Sequence, residues 1–255
     1  MTTFIFITGI SEGVGKSVAI KFAKLGYKVI GISRSKPDYL YNYPNIFWFY
    51  FDIGVDRNNF DSISFKSYIN KYTDKFDLII INAASACYGK LLSLSDNDIL
   101  KIVNTNFLSS IKILKILIPM MKNSGQVIFV GSSAEYLPAP NMGIYASLKA
   151  AQSHLAMTLS VEYMHSNIQF KVVRPGVINT GFAAKSNVPY NELEQKIGIL
   201  PEKVADDIIK LSKQKRFFLN SGRVSQLLYM LNKISISFII WLSKKRHKDK
   251  VKIND

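Results

Sequence analysis

Short, continuous runs of apolar residues, closed by glycine or polar turns, alternate along this chain with longer stretches of helical character. The runs Thr3–Thr8, Lys28–Ile32, Ile46–Phe51, Leu78–Asn82, Gln126–Val130 and Gln169–Val173 read as strands. They are apolar throughout rather than alternating, which is expected of strands that meet water on neither face. Between them, Gly13–Leu25, Phe60–Lys75, Asp96–Lys122 and Gly143–His165 read as helices. Regular alternation of strand and helix predicts an α/β fold: one domain over residues 1–222, a doubly wound parallel sheet with helices on both faces. After Thr180 the pattern weakens. Residues 181–200 read as a lid of loop or short helices, followed by a helix from about Pro201 to Gln214 and a C-terminal segment over 223–255.

Composition narrows this only in places. With 255 residues, 48% of them apolar, the chain suits one large α/β domain better than two. Its fourteen glycines and eight prolines are spread out, and neither a repeat nor a flexible linker is visible. A lone cysteine, Cys87, excludes an internal disulfide. The chain reads as a strand from its first residues, leaving no room for a secretory leader, so it is expected to be unprocessed and cytoplasmic. The charge of +15 is unevenly placed: from Lys210 to Asp255 there are 12 basic and 2 acidic residues. This is a basic tail rather than a uniformly basic surface, and it argues against a specific nucleic-acid partner.

Candidate chemistry begins where the first strand gives way to the first helix, at Thr8-Gly9-Ile10-Ser11-Glu12-Gly13-Val14-Gly15. Glycines there let the backbone turn tightly and approach a pyrophosphate, and the helix N-terminus offers unpaired N–H groups and a positive dipole end. A purely structural turn is the alternative. Gly15-Lys16-Ser17 also imitates the end of a P-loop, but that motif needs a glycine where this chain has Ile10.

Further along, Tyr145 and Lys149 stand four residues apart near a helix start, so that both project from one face. A cation beside a phenol favours the phenolate and turns tyrosine, whose ordinary pKa is about 10, into a usable acid/base. Ser132 follows the strand Gln126–Val130 and precedes Tyr145 by 13 residues. The glycine spacing, the Tyr145–Lys149 pair and the position of Ser132 together resemble the short-chain dehydrogenase/reductase family, which has a Rossmann-type fold. Four more segments, in the same order, carry the resemblance to Thr180: Asp52-Ile53, Asn82-Ala83-Ala84, Asn104-Thr105-Asn106 and Pro175-Gly176-Val177-Ile178-Asn179-Thr180. Ile81 and Ala84 depart from the family's N-N-A-G strand end.

The resemblance implies an oxidoreductase that moves a hydride between a nicotinamide cofactor and a small-molecule carbonyl or alcohol. Tyr145 would exchange the proton, Ser132 (Ser133 is the less favoured neighbour) would polarise the substrate oxygen, and Lys149 would depress the tyrosine and hold the ribose. Asn106 would support a water-linked proton path. Gly9, Ser11, Glu12, Gly13, Val14 and Gly15 would cradle the dinucleotide, with Asp52 and Ile53 at the adenine. Asn82, Ala83 and Ala84 would lie beneath a ribose, and Pro175, Gly176, Val177 and Thr180 would meet the nicotinamide. A homo-oligomer, dimer or tetramer, is also implied, although the family's ending, which completes the sheet, is not recognisable here.

At the end of the second strand, where an acid would bind a ribose 2′-hydroxyl, the chain reads Ser33-Arg34-Ser35-Lys36. Arg34 suits a 2′-phosphate and Ser33 can add a hydrogen bond, so NADP(H) is preferred over NAD. Glu12 opposes this, since many NADP-using relatives carry a basic residue there. No metal is required, and His154, His165 and His247 have no ligand spacing. The substrate rim is expected from the segment after Thr180 and the loops Ala134–Ile144 and Ser85–Ser93. Leu137, Pro138, Met142, Phe182, Val188 and Tyr190 make it apolar, favouring a hydrophobic substrate. In the C-terminal segment Val224, Leu227, Leu228, Leu231, Ile234, Phe238, Trp241 and Leu242 recur at helical spacing before the basic cluster Lys244–Lys252. This amphipathic helix is either a peripheral anchor on anionic membrane or a cover for the cleft or an oligomer contact. A catalytically silent cofactor sensor or a membrane or nucleic-acid adaptor are the competing functions.

Overall fold

The structure is a computed structural model that describes residues 3–54, 60–189 and 192–253, and within these not the side chains of residues 193, 194 and 246–253. Tyr190 of the expected rim lies outside the described residues. Among the described residues, seven parallel strands form one sheet in the order β3-β2-β1-β4-β5-β6-β7. They are β1 (Phe4–Thr8), β2 (Lys28–Ser33), β3 (Ile46–Tyr50), β4 (Phe76–Ile81), β5 (Met121–Val130), β6 (Gln169–Pro175) and β7 (Phe218–Ser221). The connecting helices are α1 (Gly13–Lys24), α2 (Ser62–Asn70), α3 (Asp96–Val103), α4 (Ser109–Leu117), α5 (Gly143–Glu162), α6 (Phe182–Lys185), α7 (Glu192–Ile197) and α8 (Pro201–Ser212). Two further helices, α9 (Arg223–Ile234) and α10 (Ile236–Ile253), end the chain.

The continuous apolar strands are explained by the two cores. Along β1, Ile5 and Ile7 point into a core shared with Val18 and Phe22 of α1 and Val204, Ile208 and Leu211 of α8. Phe6, between them, enters the opposite core with Phe65, Ile113, Leu117 and Phe170. All three β1 side chains are fully buried, so every position of the strand must be apolar. The order of strands reverses between β1 and β4, and the crevice that opens above their C-terminal ends is where ligands of such sheets sit.

Three expectations are corrected. The sheet is completed by β7, paired with β6 from Val172↔Phe218 to Pro175↔Ser221. With four residues, two of them only half-buried, β7 carries too little apolar pattern to be seen in the sequence. The helix expected over Asp96–Lys122 is interrupted by a π turn at Asn104–Leu108 and stops at Leu117; a 3-10 turn containing Pro119 leads directly into β5. This run, Asp96–Met120, is apolar and long enough to cross a membrane by composition, but Ile113, Leu114 and Leu117 are buried against the sheet. The C-terminal amphipathic helix is two helices. Ser235 is extended (φ −159°, ψ 115°), and its Oγ accepts a hydrogen bond from the Phe238 amide (3.1 Å). A serine that caps the helix after it ends the helix before it.

Candidate active site

One cleft of about 500 Å³ runs across the strand ends. Its first end is the glycine turn. Gly9 (φ +74°) and Gly13 (φ +55°) adopt left-handed backbone, and a Cβ on Gly15 would stand 1.9 Å from the Gly9 carbonyl oxygen. Gly15 is thus buried behind the turn and lets α1 approach it, while Gly9, Ser11, Glu12, Gly13 and Val14 line the cleft. Among the described residues no side chain caps α1, leaving its first-turn amides directed at whatever anion the cleft takes.

Thr8 and Asn82 fix this turn from behind. The Thr8 hydroxyl accepts from the Asn82 and Ala83 amides (2.9 Å each), and Asn82 Nδ2 donates to the carbonyls of Thr8 (2.9 Å) and Gly9 (3.2 Å). Asn82, Ala83 and Ala84 line the cleft as expected, but the Asn82 amide is spent on the backbone. Asp52 and Ile53 lie on the same wall, where Asp52 Oδ1 accepts from the Gly54 amide (2.8 Å). Arg34 opens onto the cleft beside Ser33. The Ser33 hydroxyl donates to the Ser35 carbonyl (2.8 Å) and accepts from Trp48 Nε1 (2.9 Å). Its one proton is committed, so the hydrogen bond expected of it toward a phosphate is not on offer.

Glu12 is not an uncompensated acid at the mouth. Lys185 of α6 reaches across to both its carboxylate oxygens at 2.6 Å, bringing a cation to the turn. Sequence reasoning missed Lys185 because it lies 173 residues away.

At the other end stand Ser132, Ser133, Tyr145 and Lys149, with Pro175, Gly176, Val177 and Thr180 facing them. Ser132 follows β5; its Oγ accepts from the Ala134 amide (3.1 Å), and it lies near enough to the Tyr145 hydroxyl to favour its ionised form. Lys149 is buried one turn beyond Tyr145, with Nζ 5.8 Å from the phenol ring centroid. It donates to the carbonyl of Val130 (2.8 Å) and to Gln152 Oε1 (3.0 Å). Burial pushes the Tyr145 hydroxyl up to about 12, opposed by the Ser132 hydrogen bond. Burial pushes Lys149 down to about 8, opposed by the negative charge of Glu135. The expected depression of Tyr145 by Lys149 is therefore corrected: burial raises the phenol, Ser132 is what opposes it, and the ammonium donates its hydrogen bonds to Val130 and Gln152. At neutral pH the phenol keeps its proton.

Asn106 does not line the cleft. It is fully buried in the π turn, where Oδ1 accepts from the Ser85 amide and Nδ2 donates to the Ser85 carbonyl (2.8 Å each). It holds the chain just beyond Ala84. Of the expected substrate rim, Leu137, Met142, Phe182 and Val188 line the cleft; Pro138 and the loop Ser85–Ser93 do not. Val224 and Leu228 of α9 complete the apolar wall, and Phe182 lies 5.7 Å from the Tyr145 ring.

Beneath Lys149 is a charged group that spacing did not reveal. Glu135, buried, pairs with Arg174 Nε (2.5 Å) and accepts from Ser153 Oγ (2.6 Å). The Arg174 guanidinium lies 3.4 Å from the Phe218 ring centroid.

Residues 3–191 match the short chain dehydrogenase family. The chain belongs to the short-chain dehydrogenase/reductase family of oxidoreductases. Members use nicotinamide dinucleotides and act on small molecules bearing an alcohol or carbonyl. This short-chain dehydrogenase is 30% identical over 233 residues to the 3-oxoacyl-[acyl-carrier-protein] reductase FabG of Buchnera aphidicola, covering 84% of this chain and 91% of that one. It is 26% identical over 254 residues to the 3-ketodihydrosphingosine reductase of Bacteroides thetaiotaomicron, covering 90% and 91%. A solved short-chain dehydrogenase from Streptomyces avermitilis shares the fold over 100% of this chain and 98% of its own, with a TM-score of 0.80 at 20% identity. Other neighbours of the same fold were solved with NADPH, NADP or NAD bound, so they express no common preference.

Proposed function

We propose that this short-chain dehydrogenase is an NADPH-dependent reductase of hydrophobic carbonyl compounds, with alcohol oxidation as the reverse. The observation that carries the reading is the Ser132–Tyr145–Lys149 group at one end of a cleft whose other end is an uncapped glycine turn. The cleft suits a dinucleotide. The Gly9–Val14 turn would hold the pyrophosphate, Asp52 and Ile53 the adenine, Lys149 a ribose, and Pro175 to Thr180 the nicotinamide. NADPH, when bound, supplies the hydride that adds to the carbonyl carbon.

The residues of the chain manage orientation and the proton. Tyr145 donates its phenolic proton to the carbonyl oxygen as the hydride arrives, so an alcohol leaves. The Ser132 hydroxyl, turned toward Tyr145, holds that oxygen while negative charge grows on it, where a preorganised donor lowers the barrier most. Lys149 would keep a positive charge one helical turn from Tyr145 and hold the ribose, its hydrogen bonds being taken by Val130 and Gln152. Asn106 acts indirectly, by fixing the strand end next to Ala84. The apolar wall of Leu137, Met142, Phe182, Val188, Val224 and Leu228 supports an alkyl or ring-bearing substrate over a free sugar. NADPH consumption against a carbonyl panel tests this: a medium-chain 3-oxo ester should turn over and a free aldohexose should not. Absence of turnover with every carbonyl would overturn the reading in favour of a silent cofactor binder.

Arg34 and the absence of an acid at the end of β2 support NADPH over NADH, and the Lys185 partner of Glu12 removes the main objection. Arg34→Asp is expected to lower kcat/KM with NADPH about 10–100-fold, the worth of a charge-assisted contact of ~1.5–3 kcal/mol, while NADH gains or holds. An unchanged NADPH/NADH ratio would refute the assignment of the 2′-phosphate to Arg34.

A further inference from the structure

Helix α9 carries two adjoining apolar stripes. Val224 and Leu228 line the cleft, whereas Leu227, Met230 and Ile234 are 56%, 61% and 79% exposed. At about 100° per residue the second stripe lies roughly a quarter turn around the helix from the first. The rim of the substrate cleft therefore passes directly into a solvent-facing apolar surface. Beyond the Ser235 break, α10 continues it. Ile239 is buried in the elbow, while Phe238, Trp241 and Leu242 share one face and are 44%, 54% and 36% exposed. Phe238 and Trp241 stack at 5.7 Å, and Lys245 Nζ lies 5.6 Å from the Trp241 ring centroid. Lys244 and Lys245 are exposed, and the sequence adds Arg246, Lys248, Lys250 and Lys252 with Asp249 the one acid among them.

We propose that the α9–α10 elbow seats this protein on an anionic lipid surface, and that the carbonyl substrate is an amphiphile that passes from that surface along α9 into the cleft. Charge decides the occupant. Aromatic and aliphatic side chains bordered by cations match acyl chains bordered by anionic headgroups. A second copy of the chain, meeting this face through a two-fold axis near the basic cluster, would bring two cationic clusters together with only Asp249 of each to offset them. The seating stands on the elbow alone; the choice of substrate rests on the carbonyl-reductase reading.

The test uses the full chain with phosphatidylcholine vesicles, with and without phosphatidylserine. Cosedimentation is expected with phosphatidylserine at low salt, reversed by high salt, and Trp241 emission should shift to the blue while Trp48, held at Ser33, stays constant. The pairs Phe238→Ser/Trp241→Ser and Lys244→Glu/Lys245→Glu should each weaken binding about tenfold or more and leave turnover of a water-soluble carbonyl unchanged. The same pairs should slow reduction of a long-chain carbonyl embedded in those vesicles. Wild type that ignores phosphatidylserine, or a stable dimer that these substitutions dissociate, would overturn the seating. Vesicle-borne turnover indifferent to the substitutions would overturn the access route. If wild type binds vesicles but reduces neither carbonyl, the functional reading fails and the seating survives.

Discussion

Tyr145→Phe is expected to lower kcat/KM for carbonyl reduction by about 10²–10⁴-fold, the usual contribution of a positioned proton donor, with NADPH affinity nearly unchanged. The substitution removes one oxygen from the end of the cleft and leaves the packing of the ring against Phe182. Comparing NADPH oxidation with NADPH binding by fluorescence separates the two quantities. A parallel loss of both would mean the phenol holds the fold of the cleft rather than the proton. The pH profile adds a second check. Burial holds Tyr145 at about 12, so the proposed proton donor persists throughout the neutral range. Lys149, pushed down to about 8, loses its charge as pH rises through that value. Wild-type activity should therefore fall on the alkaline side near pH 8, well before the phenol ionises. A profile flat to pH 10 would show that the ammonium is dispensable.

Glu135→Ala should cost about 3–5 kcal/mol of stability, because it strands the Arg174 guanidinium in the core without its counter-ion. Both side chains are nearly inaccessible, at 5% and 6%, and Arg174 is wedged against Phe218 and Tyr136. Urea unfolding gives the number directly. The paired replacement Glu135→Leu/Arg174→Leu removes both charges and should lie much closer to wild type, since exchanging a buried pair for apolar groups is often near neutral. If the single and paired replacements destabilise equally, the loss comes from volume and not from charge. The two predictions are independent in readout: one concerns turnover in an intact fold, the other the fold itself.

The parts of this protein that were legible in the sequence are those in which local pattern and tertiary role coincide. Ile5, Phe6 and Ile7 serve two cores in succession, so β1 had to be an unbroken apolar run. Tyr145 and Lys149 are one helical turn apart, and the glycines of the turn, Gly9, Gly13 and Gly15, lie within seven residues, so spacing alone places them. What stayed hidden depends on groups far apart in the chain. Lys185 meets Glu12, and Arg174 meets Glu135, only through the fold. Val224 and Leu228 reach the cleft because β7 carries α9 back over it, and β7 itself is too short to leave a periodic trace. The expectation for Lys149 failed differently. Its distance from Tyr145 was right in kind, but its protons go to Val130 and Gln152, and no sequence pattern reports the direction of a lysine's protons or the desolvation of a phenol.

The bridge from Glu12 to Lys185 spans the mouth of the cleft, yet both partners remain largely in water, with side chains 54% and 65% exposed. An ion pair so placed is worth about 0–1 kcal/mol and weakens with salt. It aligns α6 over the turn without locking it there. Under the proposed function, breaking this bridge is therefore expected to cost too little to limit how fast a molecule enters or leaves the crevice.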